Sequence, residues 1–482
     1  MSKSLKRNYV FNLINTVSGL LFPVITFPYA SRIILAEGIG QVNFFSSIIA
    51  YISLFTCLGI PMYAIRETAR VRNNEKELSK TSTEILLLHA GLTILGYLLV
   101  ALICLTVDKV KSDIFLFLLL STNIFFVAIG CDWFYQGIED FKYITIRGLI
   151  VKTVSVILLF VFVKSKDDIM YYAAYSVIGV VGGNVFNFIR LRKFINIRLL
   201  QMRDLKPLRH LKPALRIFVL NLIISVYINL DTVMLGFMKD PAVVGYYTGA
   251  TKLTKILTGI VGSLGTVMLP RLSHLTITGQ KDEFNRLAQK SIDVVMAFSL
   301  PLFMGLIVLA PALIRIFCGS SYEPAILTLQ IISPILLFIA LSNVLGIQIL
   351  YPQGHEKIII YSTFTGAVIN IVLNLLFIPH YSQNGAAIAT VIAELGVTCT
   401  MIVAGSSIFS IKIFSKRYLN YFVGAIIMFI SCFCVRMSNL SDIGMLVIVP
   451  LLGIIIYGGF LYFRKDIMVT EIITLVRNKI LK

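Results

Sequence analysis

The chain has 482 residues, 57% hydrophobic and 14% charged, with a mean hydropathy of +0.87 and a formal net charge of +19. This balance excludes a water-soluble domain, and continuous apolar runs without apolar/polar alternation exclude a closed membrane barrel, which leaves an all-α polytopic membrane protein. The basic excess does not call for nucleic acid, because Lys and Arg fall in short segments between apolar runs rather than on one folded surface.

Cutting at charged or turn-rich segments gives fourteen expected spans, near 10–30, 41–62, 84–105, 113–133, 145–163, 169–189, 214–236, 243–269, 291–314, 325–350, 358–378, 386–408, 419–436 and 443–463. Most approach or reach the ~20 residues that cross a ~30 Å hydrocarbon core. The opening MSKSLKR resembles the start of a signal peptide, but Pro23 and Pro28 follow and no small-x-small cleavage site does, so the first span is read as uncleaved. With both termini cytoplasmic, and Arg147 and Arg436 at span edges counted with the segments they adjoin, 31 of the 43 Lys and Arg are cytoplasmic and eight external; Lys152, Arg216, Lys252 and Lys255 fall inside spans. The richest segment, Arg190–Lys212, carries eight basic residues, suits a linker lying on an anionic leaflet, and divides two expected lobes.

Polar side chains recur on single helical faces. Span 1 offers Asn8, Asn12, Asn15, Gly19, Pro23 and Thr26, with Arg32 at its external end; the prolines provide a kink or hinge. Lys152 falls roughly 10 Å into span 5. Span 7 carries Asn221, Ser225, Asn229 and Thr232 beside Asp231. Span 8 aligns Thr248, Lys252, Lys255, Gly259, Gly262 and Thr266, with both lysines roughly 13 to 18 Å below the external end. Span 11 adds Ser362, Gly366, Asn370 and Asn374, and Glu394 falls about 12 Å into span 12. A mid-membrane Lys facing lipid costs about 2.5–3.5 kcal/mol, so these faces are expected to meet protein or water. Two readings stay open: a substrate-binding cavity wall, or buried pairs such as Asp231 with Lys252 and interhelical hydrogen bonds. Asp231 and Glu394 are the candidate coupling acids.

The turn Gln136-Gly137-Ile138-Glu139 recurs as Gln353-Gly354-His355-Glu356, 217 residues on. Gly148 then aligns with Gly366, Lys152 with Asn370, and Ala173-Ala174 with Ala386-Ala387, which lays spans 4, 5 and 6 over spans 10, 11 and 12. A six-span repeat is parallel and implies two lobes facing a central cavity. The expected organisation is a first lobe at 1–212, a second at 213–418, and an additional helix pair with a tail at 419–482.

Pro23…Pro28-Tyr29-Ala30-Ser31-Arg32, Gly38-x-Gly40, Val244-Gly245-Tyr246-Tyr247-x-x-Ala250-x-Lys252 and the two Gln-Gly-x-Glu turns, in that order and among fourteen spans, resemble the Wzx-like repeat-unit flippases of the multidrug/oligosaccharidyl-lipid/polysaccharide exporter superfamily. The resemblance covers essentially the whole chain. It implies alternating access for an undecaprenyl-diphosphate-linked oligosaccharide destined for capsule, O-antigen or a related surface polysaccharide, in a bacterial cytoplasmic membrane. Lipid-linked oligosaccharide and membrane lipids are the expected partners, with polysaccharide polymerase and chain-length machinery as further candidates.

Two rivals remain: a cation-coupled multidrug exporter of the same superfamily, and a membrane-embedded polysaccharide polymerase or acyltransferase. The exporter would favour an acidic cavity, whereas lysines outnumber acids within the spans. The enzyme would need acids, His or Arg gathered in a sizeable external loop, and every expected external loop is short. Seven cysteines and five histidines are scattered without metal-ligand spacing or a C-x-x-C pair, and no Walker-type loop occurs, so no catalytic residue, metal or cofactor is expected.

Overall fold

Backbone groups in lipid have no water to bond, so long apolar runs must satisfy them internally as helices. The computed structural model describes residues 3–408, 411–412, 415–438, 440–466, 468 and 470, and among them the regular structure is all helical. In chain order the helices are α1 Lys3–Cys57, α2 Ile60–Val71, α3 Glu75–Thr106, α4 Asp108–Lys111, α5 Ile114–Gly130, α6 Asp132–Gly137, α7 Phe141–Phe162, α8 Ile169–Val181 and α9 Asn184–Leu191. They continue as α10 Leu211–Met238, α11 Pro241–Ile277, α12 Lys281–Phe317, α13 Ala325–Ile332, α14 Ile335–Asn343, α15 Glu356–Gly405, α16 Lys416–Arg436 and α17 Asp442–Phe463.

Helix starts follow local chemistry. Asn74 accepts from the Glu77 amide at the start of α3, Asp113 caps α5, Asp140 caps α7 and Ser441 caps α17, each satisfying an amide left open in the first turn. Two expected external loops, 31–40 and 379–385, are instead sharp kinks at which two helices meet, at Leu35 within α1 (φ 61°) and at Ser382 within α15 (φ 52°). The chain turns there at single residues, the second of them three positions after Pro379, so no loop is needed.

Among the described residues nine helices are long and apolar enough to cross a membrane, ten if the bent pair α8–α9 is one span. Two stretches, Val17–Val71 and Glu356–Gly405, have 55 and 50 residues, and at 1.5 Å per residue each has length for two crossings. The bend between α8 and α9, the break between α5 and α6 at Cys131 (φ 49°), and a π-helix at Val344–Leu350 interrupt spans expected to be continuous.

The chain packs as two compact units, Met1–Gly245 and Tyr246–Lys482. In the first, α1 packs against α10, α5 and α7, and α2 against α6. In the second, α12 packs against α13, α14, α16 and α17. Arg417 at the start of α16 bonds Asp293 of α12 (2.8 Å) and Asp466 beyond α17 (2.9 Å), and Tyr418 donates to Asp293 (2.8 Å). This cluster fastens the last helix pair to the second unit. The sequence-based boundaries at 212 and 418 concern the repeat rather than packing, and remain a proposal about it.

Candidate functional site

In the first unit α1 and α7 meet along a polar seam. Lys152 of α7, half-buried, donates to Ser18 Oγ of α1 (3.1 Å), and Ser18 donates to the Asn15 carbonyl (2.7 Å). Lys152 Nζ lies 3.9 Å from where a Cβ on Gly19 would stand, and a Cβ on Gly148 would come within 3.4 Å of Asn15 Oδ1. Two glycines therefore leave room around a cation and an amide held inside the membrane. Asn229 of α10 turns inward on its own helix, donating to the Ser225 carbonyl (3.2 Å), and Asp231 is buried. Arg32 is exposed and donates to the Pro28 carbonyl (2.6 Å). The side chains of Asn8, Asn12 and Asn221 lie outside the described ones.

In the second unit the α11 face grades from buried to open: Thr248 is buried, Lys252 half-buried and Lys255 exposed. The side chains at 262 and 266 lie outside the described ones. Tyr247, one turn before Thr251, bonds Thr390 Oγ1 of α15 (3.1 Å), and Thr390 stands one turn before buried Glu394. This hydroxyl pair ties the lysine-bearing helix to the acid-bearing one. Ser362, Asn370 and Asn374 share one face as the spacing requires, but that face is packed: Asn370 is 1% exposed, Asn374 0%, and Asn374 Nδ2 donates to Asn370 Oδ1 (3.1 Å).

A second polar cluster escaped sequence reasoning. Where α5 breaks at Cys131, Asn187 of α9 donates to the Gly130 carbonyl and to Asp132 (2.8 Å), Arg147 of α7 pairs with Asp132 (3.0 Å), and Arg190 pairs with Asp140 (2.7 Å) while lying 3.8 Å over the Tyr143 ring. Freed carbonyls at a break must find donors, and here Asn187 meets the Gly130 carbonyl and Asn184 the Phe126 carbonyl (2.9 Å), while the two arginines pair with the carboxylates of Asp132 and Asp140. The available signal was Asp132 at the end of an apolar run; its partners, 15 and 55 residues away, follow no helical period.

Long apolar helices with cations and amides held within them define a polytopic membrane transporter. The family model described as "Polysaccharide biosynthesis protein" matches residues 5–276, more than half the chain, and the chain belongs to that family. The MatE model also matches, over residues 217–376. A "Putative O-antigen transporter" of Escherichia coli (strain K12) is 25% identical over 405 residues, covering 83% of this chain and 96% of its own length. The "Probable low-salt glycan biosynthesis flippase Agl15" of Haloferax volcanii is 22% identical over 167 residues, 35% of each chain. Among solved structures, "Lipid II flippase MurJ, inward closed conformation" is similar with a TM-score of 0.69 at 18% identity, over 95% of this chain and 100% of that one. A "multidrug resistance MATE family transporter of the MOP superfamily" gives 0.59 at 13% identity, over 90% and 96%. The exporter-superfamily fold expected from sequence is the fold observed.

Proposed function

We propose that the chain flips undecaprenyl-diphosphate-linked oligosaccharide repeat units from the cytoplasmic to the external leaflet of a bacterial cytoplasmic membrane, by alternating access. The observation that carries this reading is Lys152, a half-buried cation inside a membrane-crossing helix, held by Ser18 beside Asn15 with glycine-made space around it. A diphosphate needs such cations to leave water. Lys252 and Lys255 on α11 are further stations for the head group, Asn15, Asn221 and Asn229 suit sugar hydroxyls, and Arg32 stands at the external end. Asn370 and Asn374 join this set in a conformation that uncovers them. The similarity to an O-antigen transporter and to a glycan-biosynthesis flippase supports the substrate class. Polymerase and chain-length machinery are proposed as partners.

The proposed orientation places both termini and the linker 190–212 in the cytoplasm. In a variant stripped of its native cysteines, Arg198→Cys or Arg203→Cys is expected to resist an impermeant thiol reagent added to intact cells and to react after permeabilisation. Reaction in intact cells would reverse the topology.

Glu394 is the proposed proton-coupling acid, since it is buried within α15 and linked through Thr390 to the lysine-bearing helix. Glu394→Gln is expected to flatten the pH dependence of transport in proteoliposomes while the protein still inserts. An unchanged profile removes the residue from coupling.

A further inference from the structure

We propose that the linker between α9 and α10, residues 192–209, is a fixed membrane-surface site for anionic phospholipid head groups. Its depth is set by α3. The Asn196 amide donates to Ser79 Oγ (3.0 Å) and the Lys206 amide donates to Glu84 Oε1 (2.8 Å). Ser79 and Glu84 are five residues apart, about 7–8 Å along the helix, and Glu84 stands where the expected third span begins. Both ends of the linker are thus held at head-group level, not paid out into the aqueous phase.

The attachment at Glu84 is a closed hydrogen-bonded knot. The carboxylate, 0% exposed, accepts from the Lys206 amide, from Arg209 (2.6 Å) and from His210 Nε2 (2.9 Å), while the Tyr63 hydroxyl meets His210 Nδ1 (2.7 Å). Burial, followed by nearby Arg209, acts against the pull of Glu84 and holds His210 below its ordinary value. His210 Nε2 lies between Glu84 and the Arg209 Nε–H (3.3 Å), and Nδ1 meets Tyr63. Arg209 balances the one buried negative charge.

The knot therefore uses none of the other cations. Arg192, Lys193, Arg198, Arg203 and Lys206 are exposed, and none of these side chains has an ion pair or hydrogen bond among the described residues. Asp204 is the single acid between residues 191 and 210. Among these cations stand two exposed leucines on short 3-10 turns, Leu199 (42% exposed, turn Ile197–Leu199) and Leu208 (74%, turn Pro207–His210). Exposed cations and leucines pinned where a span begins have the composition of an interfacial element, with charge toward phosphate and apolar groups toward the acyl boundary. Each cation close to an anionic leaflet strengthens such binding about fivefold.

Native mass spectrometry of the full chain released from nanodiscs of phosphatidylcholine mixed with phosphatidylglycerol reads which lipid stays bound. The wild type is expected to keep phosphatidylglycerol in preference, and Arg198→Gln/Arg203→Gln/Lys206→Gln to lose at least ~10-fold of that preference, the product of several such contributions. Arg198→Lys/Arg203→Lys retains it, because surface charge rather than forked recognition is at work. Equal retention by the glutamine variant and the wild type overturns the proposal, as does equal loss in the lysine variant. Undecaprenyl diphosphate displacing phosphatidylglycerol from the wild type would also overturn it, by showing that the patch takes the transported lipid. Because lipid retention and not transport is read, failure here leaves the flippase reading untouched.

Discussion

Neutralising the intramembrane lysines is expected to abolish translocation without preventing insertion. Each of Lys152→Gln, Lys252→Gln and Lys255→Gln removes a cation proposed to meet the diphosphate, and a hydrogen bond to a charged group is worth about 1.5–3 kcal/mol, so each variant should lose about ten- to a hundredfold in rate. Lys152→Gln is the sharpest of the three: glutamine can still bond Ser18 across the α1–α7 seam, so packing is preserved while charge is lost. Arginine replacements keep the charge and should retain part of the activity. Direction is supplied separately, since an interior-negative potential favours outward movement of a doubly negative head group by roughly 4–5 kcal/mol per 100 mV. Surface polysaccharide restored in a flippase-deficient strain, with membrane level checked by blotting, measures the outcome. Full restoration by all three glutamine variants would sink the phosphate route.

A second large effect is expected where two backbones touch. A Cβ added at Gly40 would stand 1.8 Å from the Pro241 carbonyl oxygen, and one added at Gly245 would stand 1.9 Å from the Ala36 carbonyl oxygen. Neither neighbour is a side chain that can rotate away, so α1 just past its break at Leu35 and the first turns of α11 would have to separate. Gly40→Ala and Gly245→Ala are each expected to cost ~3 kcal/mol or more, at or above the usual range for overpacking, and to lower both expression and the melting temperature of the purified protein. Gly91→Ala and Gly305→Ala, whose added methyl groups would meet nothing within 4 Å, serve as controls and should be neutral or mildly stabilising. Melting of Gly245→Ala at the wild-type temperature would show that the two backbones are not in contact.

Those same glycines belong to Gly38-x-Gly40 and Val244-Gly245-Tyr246-Tyr247, which carried the family resemblance before any geometry was known. Sequence could mark them as a pattern, but the reason for that pattern is a contact between residues some 200 positions apart.

What the sequence determined by itself is what short-range physics dictates. Twenty apolar residues in lipid must be helical, so the fold class could be read from composition, and i, i+4 spacing places Ser362, Asn370 and Asn374 on one face whatever surrounds them. Tertiary structure alone decided how each face is placed: Asn370 and Asn374 are packed away, Lys255 is exposed to solvent or lipid, and Lys152 bonds Ser18. It also decided where helices break, at Leu35, Cys131 and Ser382; at Cys131 the Gly130 carbonyl is met by Asn187 of another helix, a partner no local propensity encodes. The Glu84 knot is the plainest case, since it gathers residues 63, 84, 206, 209 and 210. A buried carboxylate is tolerated only when donors from elsewhere in the chain converge on it, and no local period records that convergence.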